Sequence, residues 1–176
     1  MSQRRITVKI GGKKIKVGEK LSKKEIEKAN IERLTNEIIE IGKNPDISHG
    51  IMDLAQLFLE INEKRMQSDQ ASIEEINEAL DKLKDQKLIS MKKTKKKVVL
   101  IEFTPLELTG IENTIIELAA EKGWTNLEEI MKTCNLNSEI AEQEIKKLEE
   151  KNIAVAHKDR VTGKRWYFPG IAVEEE

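Results

Sequence analysis

Thr109–Ile171 reads TGIENTIIELAAEKGWTNLEEIMKTCNLNSEIAEQEIKKLEEKNIAVAHKDRVTGKRWYFPGI, three helical patterns followed by two strand patterns. Thr109 and Glu112 form a capping box, in which each side chain satisfies an amide at a helix start, so a helix opens at about Gly110. Its apolar stripe is Ile111, Ile115, Leu118 and Ala119. Gly123 is its stop signal. Thr125 and Glu128 form a second box, with Leu127, Ile130 and Met131 facing inward. Asn135 and Asn137 break that helix, and Ser138 caps a third that buries Ala141, Ile145 and Leu148. Ile153-Ala-Val-Ala then alternates, Thr162-Gly163 turns, and Arg165-Trp-Tyr-Phe is aromatic strand sequence ending at Pro169.

Helix, helix, helix and terminal hairpin is the order of a winged helix, an elaborated helix-turn-helix. Upstream, the order recurs in abbreviated form. A strongly apolar helix is expected from Ile51 to about Met66, with Leu54, Ala55, Phe58 and Ile61 on one side. Ser72 and Glu75 open another, which buries Ile76, Ala79, Leu80 and Leu83. A wing follows: Leu88-Ile-Ser-Met, a lysine-rich turn, and Val98-Val-Leu-Ile-Glu-Phe103. The helix that should stand between the first two is missing, so this domain reads as shortened. Thr104–Leu108 is a short linker stiffened by Pro105, which implies a nearly fixed relation between the domains.

At the N-terminus, Ile6–Ile10 and Lys13–Val17 alternate on either side of Gly11-Gly12, a hairpin signal. An isolated hairpin is marginal in water and needs a support. Ser22 and Glu25 then cap a helix running to about Ile41, with Ile26, Ala29, Ile31, Leu34, Ile38 and Ile41 on its apolar side. Gly42–Gly50 reads as a loop. The expected fold class is mainly α with small β-hairpins (α+β). The domains are a hairpin and helix over 1–49, a shortened winged helix over 50–104, a second over 108–171, and an acidic tail over 172–176.

Several of these words resemble one family. AAEKGWTNLEEI, the helix ending KKLEEKNIA and the aromatic pair before proline in WYFP look like the second winged helix of the long, paired subunits of ESCRT-II, the vacuolar protein sorting twenty-two and thirty-six family. GIMDLAQLFLEINEKR, SIEEINEALDKLKDQKLI and KVVLIEF are similar to their first winged helix. The likeness covers roughly Asn44 to Ile171. It implies a non-enzymatic scaffold in membrane remodelling and protein sorting. Its implied partners are a short subunit and a second long subunit, or another copy of itself, with an indirect link to ESCRT-III. Some 40 N-terminal residues cannot hold the lipid- and ubiquitin-binding GLUE domain of one relative, so a minimal form, compatible with an archaeal origin, is implied. In the family the second winged helix docks the short subunit through a proline- and aromatic-rich segment. That points to Trp166, Tyr167, Phe168 and Pro169 as the partner site.

Composition and charge agree with a contact protein. The 176 residues carry 38% hydrophobic side chains but 3% aromatic ones, so compact cores must be built from Ile, Leu, Val and Met. One cysteine, Cys134, permits no internal disulfide and reads as a small apolar residue. No apolar run approaches the ~18 residues of a membrane span, and no signal-peptide core follows Arg4-Arg5. The expectation is a cytoplasmic protein recruited peripherally to membranes.

The net charge of −1 conceals segregation. Residues 1–24 hold nine Lys/Arg against one Glu, 25–90 eight bases against fifteen acids, 91–97 five lysines, and 98–176 nine against sixteen. Lys92, Lys93, Lys95, Lys96 and Lys97 at the first wing suggest contact with an anionic surface, or a charged turn that guards a strand edge.

Catalytic signals are weak. His49 and His157 lie far apart with no second ligand nearby, and no phosphate-cradling glycine loop occurs. No nucleophile stands beside a base, and no cofactor is expected. The rival reading is a tandem winged-helix DNA-binding or chromosome-associated protein. It requires a helix that meets phosphate, yet both candidate helices open with glutamates, at Ser72-Ile-Glu-Glu and Ser138-Glu-Ile-Ala-Glu. Sequence-specific nucleic-acid binding is therefore not expected.

Overall fold

A computed structural model describes residues 7–10, 13–16, 22–103 and 107–171. The Gly11-Gly12 turn, Thr104–Leu106 of the linker and the acidic tail 172–176 lie outside the described residues. Strands β1 (Thr7–Ile10) and β2 (Lys13–Lys16) pair antiparallel, Thr7 opposite Lys16, as the alternation requires.

The first winged helix begins earlier than expected. Helix α1 (Lys23–Lys43) starts at a complete Ser22/Glu25 capping box. It lays Ile31, Leu34 and Ile38 into a cluster with Leu57, Ile76, Leu80, Leu83 and Ile101. Gly42 lets it meet the wing, since a Cβ there would stand 2.4 Å from the Phe103 ring. Four-residue helix α2 (Pro45–Ser48) turns the chain into strand β3 (Ile51–Asp53), followed by α3 (Leu54–Asn62), α4 (Ile73–Asp85), β4 (Ser90–Lys93) and β5 (Val99–Glu102). The domain expected to be shortened thus has its full complement: α1 supplies the helix thought missing. A boundary at residue 49 would cut through one hydrophobic cluster, because apolar burial ignores the α2 turn that interrupts the sequence.

Two further differences are local. Ile51–Asp53 is strand rather than helix, because Asp53 is the N-cap: its side chain accepts from the Gln56 amide at 2.7 Å and starts α3 at Leu54. Between α3 and α4, the buried Asn62 amide donates to Ala71 O at 3.1 Å and accepts from Ala71 N at 2.8 Å. That side chain pairs as backbone would, and closes the polar loop the sequence left open.

The second winged helix comprises α5 (Gly110–Ala119), β6 (Trp124–Thr125), α6 (Leu127–Cys134), α7 (Ser138–Glu150), β7 (Val155–Asp159) and β8 (Gly163–Tyr167). Its core gathers Ile115, Ile116, Ala119, Ile130, Ala141, Ile145, Leu148, Trp166 and Phe168. Thr109 caps α5 as read, but Asn126 rather than Thr125 caps α6, and Asn137 rather than Ser138 caps α7. Both sheets have the same strand order, β3-β5-β4 and β6-β8-β7. Helix α1 packs on α3 and α4 as α5 packs on α6 and α7.

The two units meet along β3. Ile51 and Leu100 of the first belong to the hydrophobic cluster of the second. The Asp53 amide donates to Gly170 O at 2.9 Å, so the segment after β8 continues along the edge of the first sheet. A Cβ at Gly170 would stand 1.9 Å from Ile51 O, so only glycine fits this approach. His49 Nδ1 lies 3.0 Å from Asn152 O across the same seam.

Candidate partner-binding surfaces

The WYFP segment divides by strand alternation. Trp166, 2% exposed, and Phe168, 1% exposed, belong to the second core. Trp166 Nε1 also donates to Glu149 on α7. These two rings therefore offer no contact area, and their expected place in a docking site is corrected accordingly. Tyr167 and Pro169 are half-buried.

Register shows what accompanies Tyr167. Trp124 of β6 pairs with it on one side and Val155 of β7 on the other. Side chains directly opposite across strands share a face. One row of Trp124, Tyr167 and Val155 thus crosses the outer face of the sheet, with Val155 47% exposed. Arg165 and His157 pair in the next outward row, and His157 meets Tyr167 edge-on at 6.1 Å between centroids. Trp124 is flanked by Lys122 Nζ at 3.6 Å and Arg165 Cζ at 3.8 Å from its centroid. Trp124 stood out in the sequence as aromatic area but not as a neighbour of Tyr167, because β6 has two residues and shows no alternation; Val155 did not stand out with WYFP. Beside this face, β7 is an edge strand whose five residues are all exposed.

A second surface lies between the units. Leu54, Phe58 and Leu59 of α3, Ile73 of α4, Val98 and Val99 beside the wing, and Ala120 line an apolar groove of about 670 Å³. Leu59 is 57% exposed there. Exposed leucine next to a concave apolar floor is the kind of patch that marks contact sites.

The five wing lysines separate into two groups. Lys92 and Lys93 sit in β4, Lys95, Lys96 and Lys97 in the turn, with Lys97 at φ 67°. Lys92 reaches Glu117 at 3.1 Å and Lys96 reaches Glu121 at 2.7 Å, both on or just after α5. These two bind the first wing to the second unit. Among the described residues Lys93, Lys95 and Lys97 have no ion-pair partner, and all three are exposed.

Little chemistry is offered elsewhere. No cluster of His, Cys, Asp and Glu able to hold a metal occurs among the described residues. Burial, and then nearby Glu144, push the Cys134 thiol above its ordinary value, away from the reactive thiolate. Glu112, buried on α5, pairs with Lys151 at 2.6 Å and joins α5 to the end of α7. No helix among the described residues is long and apolar enough to cross a membrane.

Comparison with known proteins places this architecture. The structure is similar to "The crystal structure of endosomal complex ESCRT-II (VPS22/VPS25/VPS36)", with TM-score 0.67 and 12% identity, over 84% of this chain and 68% of that one. It is similar also to "Structure of the ESCRT-II endosomal trafficking complex", with TM-score 0.65 and 13% identity, over 83% of this chain and 68% of that one. No curated protein sequence matches it. At such identities these structures speak to the fold; the sequence speaks to the family, since the model described as "EAP30/Vps36 family" matches residues 12–157. The chain belongs to the EAP30/Vps36 family.

Proposed function

We propose that this protein is a scaffold subunit of an ESCRT-II-like assembly. It joins a short subunit through the outer face of its second wing sheet and a second long subunit, or another copy of itself, through the groove between its units. Its place in protein sorting and membrane remodelling would then be to connect such an assembly to ESCRT-III. The observation that carries this reading is family membership together with an outward apolar row of Trp124, Tyr167 and Val155. Two units, at about 22–103 and 107–171, form the scaffold, and the packing of α1 supports that division.

The surfaces suit protein contact better than catalysis or base readout. Extended proline-rich segments dock on preformed aromatic faces at small entropic cost. Helix α4 carries Glu74 and Glu75 in its first turn and α7 carries Glu139, charges that a phosphate backbone repels. Lys93, Lys95 and Lys97 would add weak contact with anionic lipid, at about 1 kcal/mol per residue near such a membrane.

The full chain, mixed with the short ESCRT-II subunit encoded in the same genome, is expected to form a complex measurable by calorimetric titration. Trp124→Ala combined with Tyr167→Ala should weaken it at least tenfold, because aromatic anchors dominate interface energies. Unchanged affinity in a variant that melts like the parent would remove this face from the proposal. Failure of the unmodified chain to bind either ESCRT-II partner would overturn the scaffold reading.

A further inference from the structure

The outer face of the second sheet holds a guanidinium that forms no ion pair among the described residues. Of the two cations on Trp124, Lys122 is balanced by Glu129 of α6. Arg165 has no comparable pair among the described residues. Among the described residues no carboxylate stands within ion-pair distance of it, and its Nε is buried without a hydrogen-bond partner. Asp159, on the neighbouring strand, feels the charge of Arg165, but its carboxylate accepts first from the Val161 and Thr162 amides and makes no ion pair with the guanidinium. A half-buried guanidinium keeps a fork of donors that matches a carboxylate, and stacking on an indole holds that fork in one orientation.

We propose that Arg165 receives the side-chain carboxylate of an Asp or Glu in an extended partner segment laid over Trp124 and Tyr167. This rests on the reading of that face as the short-subunit site and adds the chemistry the segment must carry. The geometry sets a spacing. Tyr167 and Arg165 are two residues apart on β8 and face the same way, so their rows lie about 7 Å apart. Alternate side chains of an extended segment have the same period. The segment therefore needs an apolar or aromatic residue on the Trp124–Tyr167 row and an acidic residue two positions away. Opposite charge favours this occupant: the Arg165 guanidinium faces the row, and of the acids near it Glu129 pairs with Lys122 while Asp159 accepts from two amides.

The test uses the full chain and two fluorescein-labelled decapeptides, each with two prolines and one tyrosine. One carries Glu and the other Gln two residues from the tyrosine. The Glu peptide should bind about tenfold more tightly, as a charge-assisted contact does, and this preference should vanish in Arg165→Gln. Arg165→Lys, which keeps the charge without the fork, should retain part of it. Circular dichroism and melting of each variant separate lost contact from lost folding. Equal binding of the two peptides by the parent chain overturns the Arg165 assignment and leaves the docking face standing. Binding of the short subunit with no response to either peptide overturns both. Arg165-dependent capture by phosphatidylserine vesicles, without preference for Glu over Gln, assigns the guanidinium to lipid and likewise overturns the proposal.

Discussion

The first wing leans on the second unit, while the second wing makes no ion pair to the first among the described residues. Lys92 and Lys96 reach Glu117 and Glu121 across the seam, whereas β7 exposes all five residues along an open edge. The two winged helices share element order and strand order, yet one uses its wing to hold the pair together and the other leaves its wing for a partner. Their interiors differ in the same sense. The first closes its long α3–α4 loop with a neutral amide, Asn62, while the second joins α5 to α7 with the Lys151–Glu112 ion pair. Repetition of a fold therefore preserved the packing scheme and left the surfaces to diverge, as expected where burial specifies architecture and exposed chemistry specifies contacts.

The largest effects should come from the cores, and they test whether the two units are one cooperative body. Leu80→Ala in the first and Phe168→Ala in the second should cost about 2–5 and 3–5 kcal/mol, respectively, from lost burial and the cavity left behind. Because Ile51 and Leu100 pack into the second core, each substitution is expected to lower one common calorimetric transition. Separate transitions, with Leu80→Ala leaving the second unit at its original Tm, would break that expectation. Gly170→Val is the sharper probe. It forces a side chain against Ile51 O and should split the transition while leaving each core intact.

Much of this architecture was legible from local signals. The capping residues Ser22, Ser72 and Thr109 stand where the sequence placed them, and the buried faces of α4 and α7 follow their helical spacing. Illegible features depended on length or distance. Strands β3 and β6 have three and two residues, too few for alternation to appear. Thr125 and Asn126, and Asn137 and Ser138, are adjacent cap-competent residues, and in each pair the asparagine accepts from the amide of the third helical residue, Glu129 or Ile140. That α1 completes the first core could not be read locally, since α2 and a left-handed His49 intervene. The candidate site was half legible. Alternation separated Tyr167 from Trp166 and Phe168, but its neighbours Trp124 and Val155 come from strands 43 and 12 residues away.

The wing lysines offer a smaller effect that sharpens the contrast. Lys92→Ser with Lys96→Ser should lower stability by about 0.2–1 kcal/mol per pair, since both pairs are partly solvated. The loss should shrink at high salt, where exposed charges are screened over ~8 Å or less. Urea melts at two ionic strengths measure it. Substituting Lys93, Lys95 and Lys97 by Ser should leave those melts unchanged and reduce co-sedimentation with anionic vesicles. If the first pair alone governed vesicle binding, the division of labour among the five would be wrong.

The smallest effect concerns the two wing tips. The first is closed by a neutral hydroxyl: the Val98 amide donates to Thr94 Oγ1 at 3.1 Å. The second is closed by a carboxylate: Asp159 accepts from the Val161 amide at 2.6 Å and from the Thr162 amide at 3.3 Å. Those two amides hold the Asp159 carboxyl below its ordinary value of 3.8. A carboxyl depressed in the folded state favours folding once pH exceeds its unfolded value, and that contribution disappears as pH falls through the folded value. The second tip should therefore loosen in acid, below the ordinary carboxylate range, whereas the first, which titrates nothing, should not. Amide proton shifts followed from about pH 6 to about pH 2 read this directly, with Val161 and Thr162 moving together and Val98 holding still. Asp159→Asn should abolish the titration while keeping an acceptor in place. A midpoint for Val161 and Thr162 at or above the ordinary carboxylate value would show that the amides do not hold the charge, and the two tips would then differ in sequence but not in mechanism.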